Sequence, residues 1–162
     1  MNAELKNLFR RAEGRYLDDI EAGQLRDYAE GLLSRLAIAT AIERAETSIL
    51  DDVVAVVLAG MPNMSGAHGQ DADQKVRRDQ MMVLRYATHA MVAHDPNFIY
   101  DKLSVWLRTI LVALVPHEIV MVGYRALLEA CARHLTPSDH AALLPYLRIH
   151  IDEFASHGSR AA

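Results

Sequence analysis

Apolar residues recur along this chain at intervals of three and four, and no Asn-Gly or Asp-Gly pair joins two alternating runs. Such spacing lays one apolar stripe on each of a succession of helices and offers no hairpin around which a sheet would form. An all-α protein is expected. With 162 residues, 51% of them apolar, a chain of this size buries roughly two thirds of its unfolded surface in one core, so residues 1–162 read as a single domain.

Seventeen Lys and Arg against twenty-one Asp and Glu leave a net charge of -4, which gives no electrostatic case for nucleic acid as a partner. One cysteine, Cys131, excludes an internal disulfide. The opening MNAELKNLFRRAEGRY mixes charged and apolar residues within every turn and lacks the apolar run of a secretory signal. The most apolar segments, Val53 to Met61 and Ile110 to Val115, are far shorter than a membrane span. A cytoplasmic protein that does not enter membranes is expected.

Along the chain, a short helix fits residues 3–14, with Leu5, Leu8 and Phe9 on one face and Gly14 near its end. A second starts after Asp18 and Asp19. From Leu25, the series Tyr28, Leu32, Leu36, Ala39, Ile42, Ala45, Ile49, Val53 and Val56 keeps helical register for so long that a bend or break is expected. The β-branched run Val53 to Val57 suits a buried strand by composition, but it continues this register and is read as helix. Residues 60–74 hold three Gly and one Pro without apolar periodicity and form the expected long loop.

Asp73 is the expected cap of the next helix, whose stripe is Val76, Val83, Tyr86, Ala87, Ala90 and Met91 and whose stop is His94-Asp95-Pro96. Its other face carries Lys75, Arg78, Asp79 and Arg85. A helix over 98–115 turns Leu103, Trp106, Leu107, Ile110, Leu111 and Leu114 inward, and Pro116 opens another that runs to about Arg133. Thr136 caps the last helix, Pro137 takes its first position, and Pro145 bends or restarts it. Helices of varied length, broken by prolines and one Gly-rich loop, suit globin-like packing better than a symmetric bundle.

Phosphate loops, GxGxxG, HExxH, a nucleophile elbow and CxxC are all missing, which argues against an ordinary hydrolase or oxidoreductase. No catalytic residue is expected. Cys131, among Leu127, Leu128 and Ala130, reads as a small buried hydrophobe. The eight histidines lack metal-site spacing, since only His150 and Glu153 share a helical face at i, i+3, and no metal ligand is expected. A haem ligand, if there is one, would be His89 or His117. In Lys75 to Asp79, KVRRD, two cations and a carboxylate stand within four residues on a helix. Two readings are open: a solvated face with internal ion pairs, or a site where cations meet propionates and Asp79 accepts from pyrrole N–H groups.

The stretch Val76 to Asp95, VRRDQMMVLRYATHAMVAHD, resembles the bilin-bearing helix of phycobiliproteins, whose pattern runs Cys-x-Arg-Asp, Tyr-Leu-Arg and Val-Ala-Gly-Asp. Arg78, Asp79, Leu84, Arg85, Thr88, Val92, Ala93 and Asp95 carry the likeness. Ala12 to Leu25, AEGRYLDDIEAGQL, resembles the family's opening before its second helix. Asp101, Leu107, Arg108, Ala113, Leu114 and Pro116 follow the family's later spacing.

The resemblance implies a globin-like fold, with residues 1–33 as a helical extension for subunit pairing and 34–162 as the globin core. It implies a tetrapyrrole pocket beside Val76, with Arg78 and Lys75 toward propionates, Asp79 toward pyrrole nitrogens, and Arg85, Tyr86 and His89 in its surroundings. Val76 replaces the attachment cysteine, and Met82 and Val83 replace the tyrosines that usually follow, so a covalent light-harvesting pigment is not expected. In these departures the chain resembles the bilin biosynthesis-associated globins of heterotrophic bacteria. That likeness implies a non-enzymatic accessory, at least a homodimer, that holds a bilin or haem noncovalently or docks on a ferredoxin-dependent bilin reductase or haem oxygenase. The alternatives are a colourless subunit acting through protein contacts and a haem-binding sensor globin.

Overall fold

Asp18 begins the longest element. Its carboxylate accepts from the Glu21 backbone N–H at 2.8 Å, the Asp18 N–H donates back to Glu21 Oε2 at 3.1 Å, and this reciprocal cap opens a helix at Asp19. The computed structural model describes residues 3–60, 71–100 and 117–158. They comprise α1 (Ala3–Arg11), α2 (Asp19–Ala59), α3 (Ala72–Ala93), the short α4 (Asn97–Ile99), α5 (His117–His134) and α6 (Pro137–Gly158). Among the described residues there is no strand, and the all-α, globin-like class expected from the phycobiliprotein resemblance holds. Also among them, no helix is long and apolar enough to cross a membrane. Most of the helix expected over 98–115, and most of the Gly-rich loop, lie outside the described residues.

α1 ends at Arg11, earlier than the expected Gly14, because Ala12 to Arg15 turn back toward α2. Gly14, at φ 81°, supplies the left-handed conformation that this turn needs. Leu5 and Leu8 are buried as expected, but Phe9 is 45% exposed and Ala12 is buried in its stead. The corner is tied by Arg15, whose guanidinium donates to both Glu21 oxygens at 2.8 Å and to the Tyr16 carbonyl at 2.9 Å.

The expected break in α2 does not occur. Its 41 residues run as one helix about 60 Å long at 1.5 Å per residue, longer than the core it serves. Its buried apolar residues begin only at Ile42 and continue through Ile49, Leu50, Val53, Val54 and Val57. Before that point Ile20 and Leu33 are 74% and 71% exposed. Leu36 and Val56, expected inward, are also exposed. The reason is that α2 touches both α3 and α5, so its buried surface is broader than one stripe and displaced from the simple count.

α3 presents Val83, Leu84, Ala87 and Met91 to this core, with Val76 and Tyr86 only half-buried at its edge. Leu84, absent from the expected stripe, is fully buried. α5 adds Val120, Tyr124, Leu127, Ala130 and Cys131, and α6 closes the core with Leu143 and Leu147. Alanines at 87, 90, 126 and 130, each at most 4% exposed, let the helix axes approach closely. α3 starts two residues before expectation: Asp71 is its first flanking residue, and Asp73, the expected cap, lies inside the first turn with its carboxylate on the Gln74 N–H at 2.7 Å.

The other end of α3 is held from α2. His94 takes a left-handed conformation at φ 49° and ends the helix, with the Asp95 N–H on the Ala90 carbonyl at 2.9 Å. Arg35 Nε donates to the Val92 carbonyl at 3.0 Å and the Tyr28 hydroxyl donates to the Ala93 carbonyl at 3.3 Å, satisfying acceptors that a helix end leaves open. The Arg35 guanidinium stacks 5.0 Å over the Tyr28 ring. In α6 the Thr136 hydroxyl accepts from the Asp139 N–H at 3.2 Å as expected. Pro145 does not restart that helix; it is exposed, as is Ala141, whose carbonyl loses its helical partner and faces water.

Leu84→Ala should therefore lower stability by about 2–5 kcal/mol in urea unfolding, because it empties a fully buried site. Val56→Ala, at an exposed position, should change it by less than about 0.5 kcal/mol. The Arg15 bond holds the Glu21 carboxyl down at about 2 against an ordinary 4.5. The support this carboxylate gives the α1–α2 corner is complete above pH 4.5 and is lost as pH falls toward 2. Amide protection factors of residues 12–22, corrected for the intrinsic pH dependence of exchange, should fall across that window in the wild type and be low throughout in Glu21→Gln.

Candidate functional site

Turn by turn, α3 divides into three flanks. Spacings of three and four place Lys75, Asp79, Met82, Tyr86 and His89 along one of them, with Arg78 at its margin. The core face is next, and the third flank meets α2. On that third flank Arg85 is fixed by Glu46 in a two-pronged bond of 2.7 and 2.8 Å, which raises the guanidinium pKa further. Arg77 pairs with Asp51 on the same side. Asp52 in turn receives Arg133 at 3.0 Å and His134 at 2.8 Å from α5, and these two bonds, His134's the stronger, hold its carboxyl below the usual range. Carboxylates of α2 thus clip both neighbouring helices in register.

The sequence-predicted residues are therefore not all together. Arg85, two turns on from Arg78 and on the same side of the helix, is committed to α2 by its bond to Glu46. On the first flank Lys75 is exposed, Val76 is half-buried against the core, and Arg78 lies 3.5 Å from Asp79 in a long, weak contact. The Arg78 side chain is 66% exposed and that of Asp79 35%. An exposed pair at this distance contributes little to stability, so both groups can exchange each other for a ligand at small cost.

Two turns further on, Tyr86 and His89 share one neighbour that sequence reasoning did not place at the site. Phe98 of α4 lies 5.9 Å from the Tyr86 ring, tilted, and 6.4 Å from His89, edge to face. The signal for it was the His94-Asp95-Pro96 stop: a left-handed cap followed by a short helical turn returns the chain against the last turns of α3. Lys75, Arg78 and Asp79 at one end and Tyr86, His89 and Phe98 at the other make a surface that is charged, then apolar and aromatic. This suits an elongated ligand with a flat conjugated body and carboxylate substituents.

His89 is exposed and His117 half-buried at the start of α5. Among the described residues no three His, Cys, Asp or Glu side chains converge as metal ligands would. Cys131 is fully buried on α5, and burial pushes its thiol up to about 12, which makes it a poor nucleophile. A separate cleft of about 560 Å³ opens between α1, the first half of α2 and the end of α3, with Glu4 and Asp27 balanced by Arg11 and Arg35 on its walls. It lies at the opposite end of α3 from Arg78 and carries no net charge to attract an anion.

Against known proteins, the chain is 31% identical over 93 residues to the allophycocyanin subunit beta-18 of Pyropia yezoensis. That match covers 55% of this chain and 55% of the relative, so the chain aligns with about half the length of this curated protein. The broader comparison takes in nearly all of the helices described above: residues 11–154 match the family described as phycobilisome protein. A chain matched from the last residue of α1 to well inside α6 belongs to the phycobilisome protein family.

Proposed function

We propose that this protein is a non-enzymatic accessory of bilin biosynthesis that holds a bilin noncovalently along α3 and hands it to, or receives it from, a ferredoxin-dependent bilin reductase or a haem oxygenase. The observation that carries this reading is the Arg78–Asp79 pair on an open flank of α3, two residues after a valine. Valine offers no sulfur for a thioether, and Cys131, on another helix, is inside the core. A family built around bilins, a polar pair suited to one, and no means of attaching it together favour reversible binding.

In this reading Lys75 and Arg78 pair with propionates, and the Asp79 carboxylate accepts from pyrrole N–H groups. Val76, Tyr86 and His89 contact the conjugated rings. Arg85 acts through its bond to Glu46, which sets the rotation of α3 and so the direction of the binding flank. Titration of the purified protein with biliverdin should give saturable binding, with all pigment released on acid denaturation. Asp79→Ala should weaken that binding about tenfold, the scale of one charge-assisted hydrogen bond. Unchanged affinity would refute the site.

A second reading, a colourless subunit that works only through protein contacts, is favoured by a different observation. Phe9, Ile20, Leu33 and Leu36 stand exposed on α1 and the first half of α2, where α2 has no buried apolar residue. Both readings share the proposal that residues 1–33 are a pairing extension and that the chain is at least a homodimer, since a second copy would cover this face. Deletion of residues 1–17 should convert the dimer into a monomer in light scattering. A wild-type protein that is already monomeric at micromolar concentration would sink the shared proposal.

A further inference from the structure

Among the described residues, Glu21, Thr88 and Gln80 are the buried side chains that are charged or carry an aliphatic hydroxyl or amide. Glu21 is fully bonded in the cap, and the Thr88 hydroxyl donates to the Leu84 carbonyl at 2.8 Å. Gln80 differs. It is 8% exposed, and its Oε1 has no hydrogen-bond partner. A buried carbonyl without a donor is costly and uncommon in native proteins, so it calls for a specific cause.

The amide is also accommodated deliberately. A Cβ on Gly123 of α5 would stand 2.7 Å from Gln80 Nε2 and 3.4 Å from its Cδ, with a Val57 methyl at 3.7 Å. Gly123 lies in the middle of a helix, where glycine is unfavourable, and the space it leaves is the space the amide fills. Gln80 follows Asp79, about 100° round the helix, so its amide lies inward of the carboxylate, with Nε2 against Gly123 of α5 and the unmatched Oε1 beside it. Tyr124, next to Gly123, reports the same proximity: burial first, and then the negative charge of Asp79, raise its phenol pKa.

We propose that Gln80 is an inner binding residue of the α3 site and that its carboxamide receives a ring N–H of an open-chain, metal-free tetrapyrrole. This rests on the reading of α3 as a bilin site and adds to it a residue and a selectivity. A terminal lactam ring carries an N–H beside a C=O, and a carboxamide carries the complementary acceptor and donor, so the two pair through two hydrogen bonds. Haem has its four nitrogens on iron and no lactam, and leaves the Gln80 acceptor unsatisfied. The site therefore selects against haem through a polar group that haem cannot satisfy.

The test is a titration of the full-length wild type, Gln80→Met, Gly123→Ala and Asp79→Ala with biliverdin and, separately, with haem, alongside thermal melts without ligand. The wild type should bind biliverdin at least about tenfold more tightly than haem. Gln80→Met keeps the length and removes the acceptor; it should raise the melting temperature of the free protein, weaken biliverdin binding about tenfold and leave haem binding unchanged. Gly123→Ala, which displaces the amide without altering it, should give the same selective loss. If Asp79→Ala weakens biliverdin binding while both other variants stay within about twofold of wild type, Gln80 is only a packed side chain satisfied by water, and the inference falls alone. Equal losses for both ligands overturn the selectivity. A wild type that binds neither tetrapyrrole overturns the inference together with the bilin reading on which it rests.

Discussion

The seam where the second half of α2 lies between α3 and α5 is the constraint from which the rest follows. Ile49, Val53 and Val57 enter it from α2, Leu84, Ala87 and Met91 from α3, and Tyr124, Leu127 and Ala130 from α5. Alanine at the close approaches lets the backbones come near enough for these larger side chains to interdigitate. Because α2 serves two neighbours at once, its apolar surface is wide over the last half, and over the first it has no buried apolar residue before Ile42. One helix is therefore the central element of the core over its second half, while over its first half Tyr28 and Arg35 reach the end of α3.

This packing also decides how α3 faces the solvent. Its core face is spent on α2, α5 and α6. The flank nearest α2 is occupied by the Arg77 and Arg85 ion pairs, and its C-terminal carbonyls by Arg35 and Tyr28. What remains is the flank from Lys75 to His89. Individually, exposed ion pairs are weak; acting together across α2, they fix the rotation of α3, and that rotation leaves Arg78 and Asp79 outward while sending Gln80 into the seam. The candidate site is a consequence of how the helix is clamped, as much as of which residues it carries.

Much of this was legible in the residues. The Asp18 neighbourhood, the Thr136-Pro137 start and the His94-Asp95-Pro96 stop are local hydrogen-bond chemistry, and local chemistry is written in neighbouring residues. The helical reading of Val53 to Val57 held because register outweighs β-branching once an apolar face has partners on both sides. Phe9, Leu36 and Val56 were misplaced for the opposite reason: a three-four count finds an apolar stripe but not the direction from which a neighbour arrives. The resemblance around Arg78 and Asp79 was visible for the same local reason as the caps, since it is carried by one helix. Phe98 and the cradle at Gly123 were not, because each depends on a residue from another helix.

By itself, the sequence determined the helical class, most helix ends, the family likeness and the lack of a thiol at position 76, all properties of residues within a few positions of one another. Only the tertiary structure decided that α2 is unbroken, that Arg85 belongs to Glu46, and that Gln80 is buried with its carbonyl unmatched. Those facts are set by which side chains meet across helices far apart in the chain. The free energy that selects such meetings comes from burial and packing of the whole core, which no local pattern encodes.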